Sequence, residues 1–288
     1  MKFCNTAALL LLISPAFAQD TVPEKGYSPH RKGSLYFYWG YNREFFERSD
    51  IHFSGPNYDF TLYNVRAKDR PSRLNLAYLN PKTLSIPQYN YRIGYFLSDR
   101  FSISAGLDHM KYVMVADQQS TLSGVILPQA SSYYAGSYIK KPIVLTEDFL
   151  MFEHTNGFNL ATLEAEYLIP LFPAWKDRLY LSWNTGAGGF WVITKTDVHV
   201  MGDGMDNDFH LSGYAIIAKT GPRVEYNRRF FLSGEIKAGY SSLPDINIKN
   251  SAPEKAGQEI IFYEYYVVAG LYISTKKQSP RTYMNKFL

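Results

Sequence analysis

The sequence predicts an all-β protein, an eight-stranded antiparallel up-and-down transmembrane β-barrel. Two observations carry that prediction. Long runs place an aliphatic or aromatic residue at every second position, the period of a strand with one apolar face, as in Tyr89, Tyr91, Ile93, Tyr95 and Phe101, Ile103, Ala105, Leu107. Three short polar turns join such runs: Leu97-Ser98-Asp99-Arg100, Ala174-Trp175-Lys176-Asp177-Arg178 and Asn227-Arg228-Arg229. Tight turns at one end and long polar loops at the other are the asymmetry of an outer-membrane barrel.

The N-terminus agrees with export. Lys2 gives a positive start, Ala7 to Ile13 an apolar run, and Ala16-Phe17-Ala18 a small-x-small cleavage site, so residues 1–18 read as a secretory signal peptide. Its apolar run is too short to cross a bilayer as a helix. Cys4 is the only cysteine and lies inside this segment, so the mature chain has neither a disulfide framework nor a thiolate metal site. Tyr alone accounts for 24 residues and mean hydropathy is −0.24, far below a helical membrane protein. A barrel reconciles these figures, because half of each strand faces a polar lumen and the other half is rich in interfacial aromatics. A formal net charge of +4, falling to +3 without Lys2, is too weak and too evenly spread for nucleic-acid binding.

Residues 19–32, with Pro23 and Pro29, read as a flexible periplasmic lead, and residues 33–275 as the barrel. The strands are expected at about 34–46, 88–97, 101–115, 148–169, 179–195, 209–226, 230–242 and 259–274, with a bend or bulge in the fourth at Asn156-Gly157. Residues 47–87 and 117–147 read as long extracellular loops and 202–208 as a shorter one. Residues 276–288 read as a polar periplasmic tail. An even count returns both ends to the periplasm. Ten strands are the alternative, because Tyr58 to Val65 also alternates and could pair with Leu74 to Ile86. Pro81 and Lys82 weaken the latter as a lipid-facing span, so 58–65 is read as an extracellular extension of the sheet.

Alternation also sorts the charges. With Ile216, Ala218, Val224 and Tyr226 facing lipid, Lys219, Arg223 and Glu225 face inward. Glu235 and Lys237, Glu164 and Glu166, Arg92 and Glu264 follow the same parity on their strands. An eight-stranded barrel is only wide enough to be filled by its side chains, and an unpaired buried ion costs several kcal/mol. The expectation is a lumen plugged by ion pairs with trapped water, which makes a broad porin improbable and leaves slow or gated ion leakage open.

The signal peptide, even strand count, tight turns, aromatic girdles and charge-paired lumen resemble the small outer-membrane barrels typified by the OmpA transmembrane domain. The likeness covers about residues 33–275, is architectural, and rests on no diagnostic motif. It implies a Gram-negative outer-membrane location, with lipids and lipopolysaccharide as surroundings. Such families include anchors, adhesins, binding proteins and lipid-modifying enzymes, so the fold does not fix function. The last strand here stops short of the C-terminus, unlike the commonest pattern.

Chemistry-bearing clusters are few. His154-Thr155-Asn156-Gly157 is faintly similar to the His-x-Ser-Asn motif of lipid A deacylase barrels, but the serine is missing and the spacing is one residue short. His154 reads as a polar rim residue, with a lipid A hydrolase using it as the alternative. Glu164 and Glu166 could do acid–base work, but among Arg and Lys they read as ion-pair partners. Asp203, Asp206, Asn207 and Asp208 on a Gly-bearing turn are weak candidates for a surface Ca²⁺ site, lacking EF-hand spacing and its closing Glu. His109 and Lys111 form a basic pair at the outer rim, suited to lipopolysaccharide phosphates or to a solvated strand extension. No cofactor is expected. The leading expectation is a non-enzymatic barrel whose long loops carry structural or binding work, ahead of the hydrolase and a small solute or ion channel.

Overall fold

The computed structural model describes residues 31–71, 87–174, 178–250 and 253–274. The signal peptide, most of the lead, the 74–86 segment, residues 175–177 of the second turn and the 276–288 tail lie outside these described residues.

Eight antiparallel strands form a closed ring: β1 (Ser34–Phe46), β5 (Tyr89–Phe96), β6 (Phe101–Met114), β9 (Leu150–Ala174), β10 (Leu179–Thr194), β13 (His210–Tyr226), β14 (Phe230–Asn247) and β15 (Lys255–Ser274). The ring closes where β15 pairs with β1, from Ser34 opposite Ser274 to Phe46 opposite Phe262. Closure leaves no unpaired edge in the wall, the condition a sheet must meet to lie in hydrocarbon. The outward positions form an apolar belt around it. Ile93, Leu163, Ile216, Leu232, Ile236 and Val267 each expose more than half of their surface, an exposure unfavourable in water and natural against lipid.

The remaining strands build a crown at the end opposite the tight turns. β2 (Ser49–Gly55) pairs with the start of β15, β3 (Tyr58–Val65) with β2, β7 (Gln118–Ile126) with β3, and β8 (Gly136–Leu145) with β7. Short β4 (Ala67–Lys68) pairs with the end of β6. A hairpin of β11 (Asp197–Val200) and β12 (Asp203–Asp206) pairs with the start of β9. Tyr58–Val65 therefore extends the sheet outside the ring, and the ring has eight strands. Three expected loops are corrected: beyond Tyr58–Val65, the 47–87 segment also forms β2 and β4. Within 117–147 the chain makes the β7–β8 hairpin, and 203–206 is a strand. Ser, Gln and Asp in these segments break the apolar alternation by which a strand is read. Pro244 lies inside β14 rather than in a loop, at a register shift between Leu243 and Ile246 that spares its missing N–H. In β9, Thr155, Asn156 and Gly157 sit opposite Lys111 alone, between the Met110–Phe158 and Tyr112–His154 pairs, a bulge where Asn-Gly interrupts the pattern.

Candidate functional site

The interior is layered, and each layer follows from what the strands point inward. At the turn end Tyr36, Phe96, Phe231 and Tyr272 make an aromatic layer, with Phe231 and Tyr272 4.8 Å and Tyr36 and Phe96 5.4 Å apart between ring centroids. Two inward-parity glycine sites allow this packing: a Cβ at Gly94 would sit 2.0 Å from the Tyr36 ring, and one at Gly270 2.2 Å from that of Phe231. Arg31 closes the layer from below. Its guanidinium lies 4.9 Å from the Tyr272 ring centroid and pairs with Glu225.

Above this lies an ionic lattice. Lys219 Nζ is 2.8 Å from Glu164, 3.1 Å from Glu166 and 3.6 Å from Glu235. Arg92 reaches Glu164 at 2.6 Å and Asp108 at 3.3 Å. Arg223 reaches Glu235 at 3.4 Å. Lys237 pairs with Asp108 and, at 2.7 Å, with Glu264. Neutral donors complete the carboxylates. Tyr36 and Ser104 hydroxyls donate to Glu166, Tyr266 and Ser233 hydroxyls to Glu235, Ser182 to Glu225, and the Asn42 and Asn90 amides to Glu264. Every ion here is buried, so this satisfaction decides whether the lattice stabilises or costs.

All nine lumen residues picked out by alternation, Arg92, Glu164, Glu166, Lys219, Arg223, Glu225, Glu235, Lys237 and Glu264, point into this one interior. Alternation past Leu107 also assigns Asp108 inward, a signal in the sequence that goes unused there. Arg31 and Glu44 are further additions. Arg31 is assigned to the lead by its prolines, and nothing local in the sequence marks its return beneath the lumen. Glu44 lies opposite Glu264 across β1 and β15 and accepts from the Gln88 amide at 2.7 Å.

The crown end of the interior is mainly apolar. Phe158 lies 6.1 Å from Phe262 and 6.2 Å from Phe46, ring to ring, within a buried apolar cluster that takes in Ile51, Phe53, Phe60, Leu62, Leu122, Phe149, Phe152, Val198 and Ile260. Alternation in the ring strands alone does not announce this second, apolar layer, because the crown supplies about half of it.

His154 belongs to this apolar layer, not to the rim. It is fully buried among Tyr112, Phe152 and Phe158. Its Nδ1–H donates to the Thr196 hydroxyl at 2.8 Å, since that hydroxyl donates onward to Thr194. Thr155 faces the other side of the strand and donates to Glu153, so the two cannot act on one substrate, and a buried imidazole cannot reach a lipid ester. Burial pushes the His154 imidazole down to about 3. The unfolded chain therefore binds a proton near pH 6.5 that the native crown refuses until about pH 3, and stability falls as pH drops through that window. About 2 kcal/mol should be lost between pH 6.5 and 5, read as a lower denaturant midpoint, and His154→Phe should flatten the slope over that interval.

Asp203, Asp206 and Asp208 diverge. Asp203 pairs with Lys249, Asp206 with Lys195 at 3.1 Å, and Asp208 accepts from the Asn250 amide at 2.9 Å. Among the described residues no group of three His, Cys, Asp or Glu side chains is placed to hold a metal. Calorimetric titration with Ca²⁺ should give no binding heat beyond dilution. At the rim His109 stacks on Tyr89 with centroids 5.3 Å apart, and its Nδ1 lies 2.7 Å from Asn159 Oδ1. Lys111 lines a polar cleft of about 340 Å³ with Arg70, Pro71, Thr155 and Asn156.

No known protein-family profile matches the chain, and no curated protein sequence does. The solved structures it is similar to include the outer membrane protein OprG from Pseudomonas aeruginosa, at 9% identity over 85% of this chain and 98% of that one, with a TM-score of 0.38. Neisserial surface protein A is similar at 10% identity, 84% and 99% coverage and a TM-score of 0.32, and the attachment invasion locus protein Ail of Yersinia pestis at 10%, 84% and 99% with 0.29. These are small outer-membrane β-barrels, and the chain resembles them in architecture. Its barrel assignment rests on its own closed ring of strands.

Proposed function

We propose that the chain is a non-enzymatic barrel of a Gram-negative outer membrane, reached by signal-peptide export, whose interior is sealed and whose crown carries envelope-structural or surface-binding work. The observation that carries this reading is the pair of packed layers in series: an ion-paired lattice spanning the wall and an apolar cluster above it. A narrow barrel filled by its side chains has no continuous water path, and the apolar layer removes the polar partners that trapped water needs. The crown is where sequence and structure leave surface to be used. Ile139 is 91% and Tyr133 84% exposed on the β7–β8 hairpin, on elements the ring does not need for closure. At the rim, Arg70 and Lys111 around the polar cleft suit the phosphates of lipopolysaccharide and neighbouring lipids, while His109 is buried against Tyr89 and Asn159.

Purified protein in planar bilayers should show no discrete conductance steps, and vesicles containing it should not swell in small sugars. Stepwise openings would overturn the sealed reading and restore the channel. Lipid A of unchanged mass with and without the protein is the matching expectation against a hydrolase.

A further inference from the structure

We infer that the lipid-facing wall between β13 and β14 carries a binding notch for a hydrocarbon chain, filled by one acyl chain of a neighbouring membrane lipid. The β13–β14 ladder runs from Tyr214 opposite Ser242 to Thr220 opposite Ile236, breaks, and resumes at Arg223 opposite Ser233. The break holds Gly221 and Pro222 on one strand and Gly234 and Glu235 on the other. Pro222 has no N–H to give the ladder. Its carbonyl accepts instead from the Ser233 hydroxyl at 3.3 Å.

Over this break lies an outward hollow of about 310 Å³, framed by Trp183 on β10, Tyr265 on β15 and Ile236, with Thr220, Pro222 and Gly234 among its floor. It sits within the apolar belt, between Ile216 and Val224 along β13 and between Leu232 and Ile236 along β14. A hollow of that size has room for a run of methylenes.

Two details say what fills it. First, Gly234 is empty by choice of residue and not by packing. A Cβ there would meet nothing within 4 Å, whereas one at Gly221, across the break, would lie 2.1 Å from the Gly234 carbonyl oxygen. Glycine in a strand interior costs stability, and the lack of a steric demand leaves the hollow itself as what the residue provides. Second, the indole N–H and hydroxyl in its wall, from Trp183 and Thr220, are spent on each other and on the strand backbone. The Trp183 indole N–H donates to the Thr220 hydroxyl at 2.6 Å, and that hydroxyl donates to the Asn184 carbonyl at 3.3 Å. The rest of the outward lining, Pro222, Gly234, Ile236 and the Tyr265 ring, is apolar, so it selects a chain by shape and apolar contact. The hollow is open sideways into the bilayer, which supplies that chain at the right depth.

Gly234→Ile tests this without threatening the fold, since the position has room and a β-branched residue suits a strand. Single-tryptophan proteins retaining Trp183 or Trp191 are reconstituted into phosphatidylcholine vesicles with chain-brominated lipid, and folding is checked by heat-modifiable gel mobility. Bromine quenching of Trp183 should fall at least twofold in Gly234→Ile, with quenching of Trp191 unchanged. Native mass spectra of the detergent-released full chain should show one retained lipid that Gly234→Ile loses. Equal quenching of Trp183 with and without the isoleucine, or an unchanged lipid count, overturns the notch. A dimer mass abolished by Gly234→Ile would also overturn it, assigning the hollow to a second copy of the chain.

Discussion

Lys219→Met should leave most of the chain unable to form the heat-resistant barrel band on gels, with a loss of about 3–5 kcal/mol, the cost of removing one partner from a buried ion pair. The size follows from what remains. Glu164 keeps Arg92 and Glu235 keeps Arg223, but Glu166 pairs with no other cation among the described residues and would be left to the Tyr36, Ser104 and Asn184 donors. Adding Glu166→Gln to Lys219→Met should therefore recover much of the loss, whereas adding Ser182→Ala, distant from Glu166 in the network, should recover none. Equal stability of Lys219→Met and the unaltered chain, measured by urea titration in micelles, would show that the lattice does not hold the ring together.

Phe158→Ala should cost about 3–5 kcal/mol through the cavity it opens, in the crown and not in the ring. Phe158 is fully buried between Phe46, Phe262 and His154, where crown and wall meet. Hydrogen exchange should quicken in β2, β3 and the β11–β12 hairpin while β13 and β14 stay protected. The variant should still pass no current, because the ionic lattice closes the lumen independently of the apolar layer. Discrete conductance from Phe158→Ala alone would show that one seal, the crown's, does all the closing.

How much of this is legible in sequence depends on whether both faces of a strand differ. Along β13 and β14, Ile216 to Tyr226 and Phe230 to Tyr240 alternate cleanly, so parity names the inward charges and the turn at Asn227-Arg228-Arg229 fixes their phase. Asp108 is equally readable, one step past Leu107. His154 is not, because its polar partner Thr196 and the Val198 strand that packs over this layer are distant in sequence and brought over the lumen by strand pairing. The crown itself hides because Gln118, Ser120 and Thr121 make its strands read as loop. The β13–β14 notch leaves a trace, Pro222 within a strand and Gly234 within another, but only register sets the two opposite each other.

The lattice has a consequence for how the protein reaches its membrane. Each of the eight ring strands supplies part of it: Tyr36, Arg92, Asp108, Glu164, Asn184, Lys219, Lys237 and Glu264 come from β1, β5, β6, β9, β10, β13, β14 and β15 in turn. The β5–β6 hairpin brings one matched pair, Arg92 with Asp108, but Glu164 and Glu166 on β9 find their cations only on β5 and β13. A half-built sheet entering hydrocarbon would drag unmatched ions with it, so insertion and closure must advance together, with β1 meeting β15 across more than two hundred residues of chain before the charges lose water. Assembly is then slow and cooperative, as contacts between distant segments make it, and the commitment step is the joining of the first strand to the last.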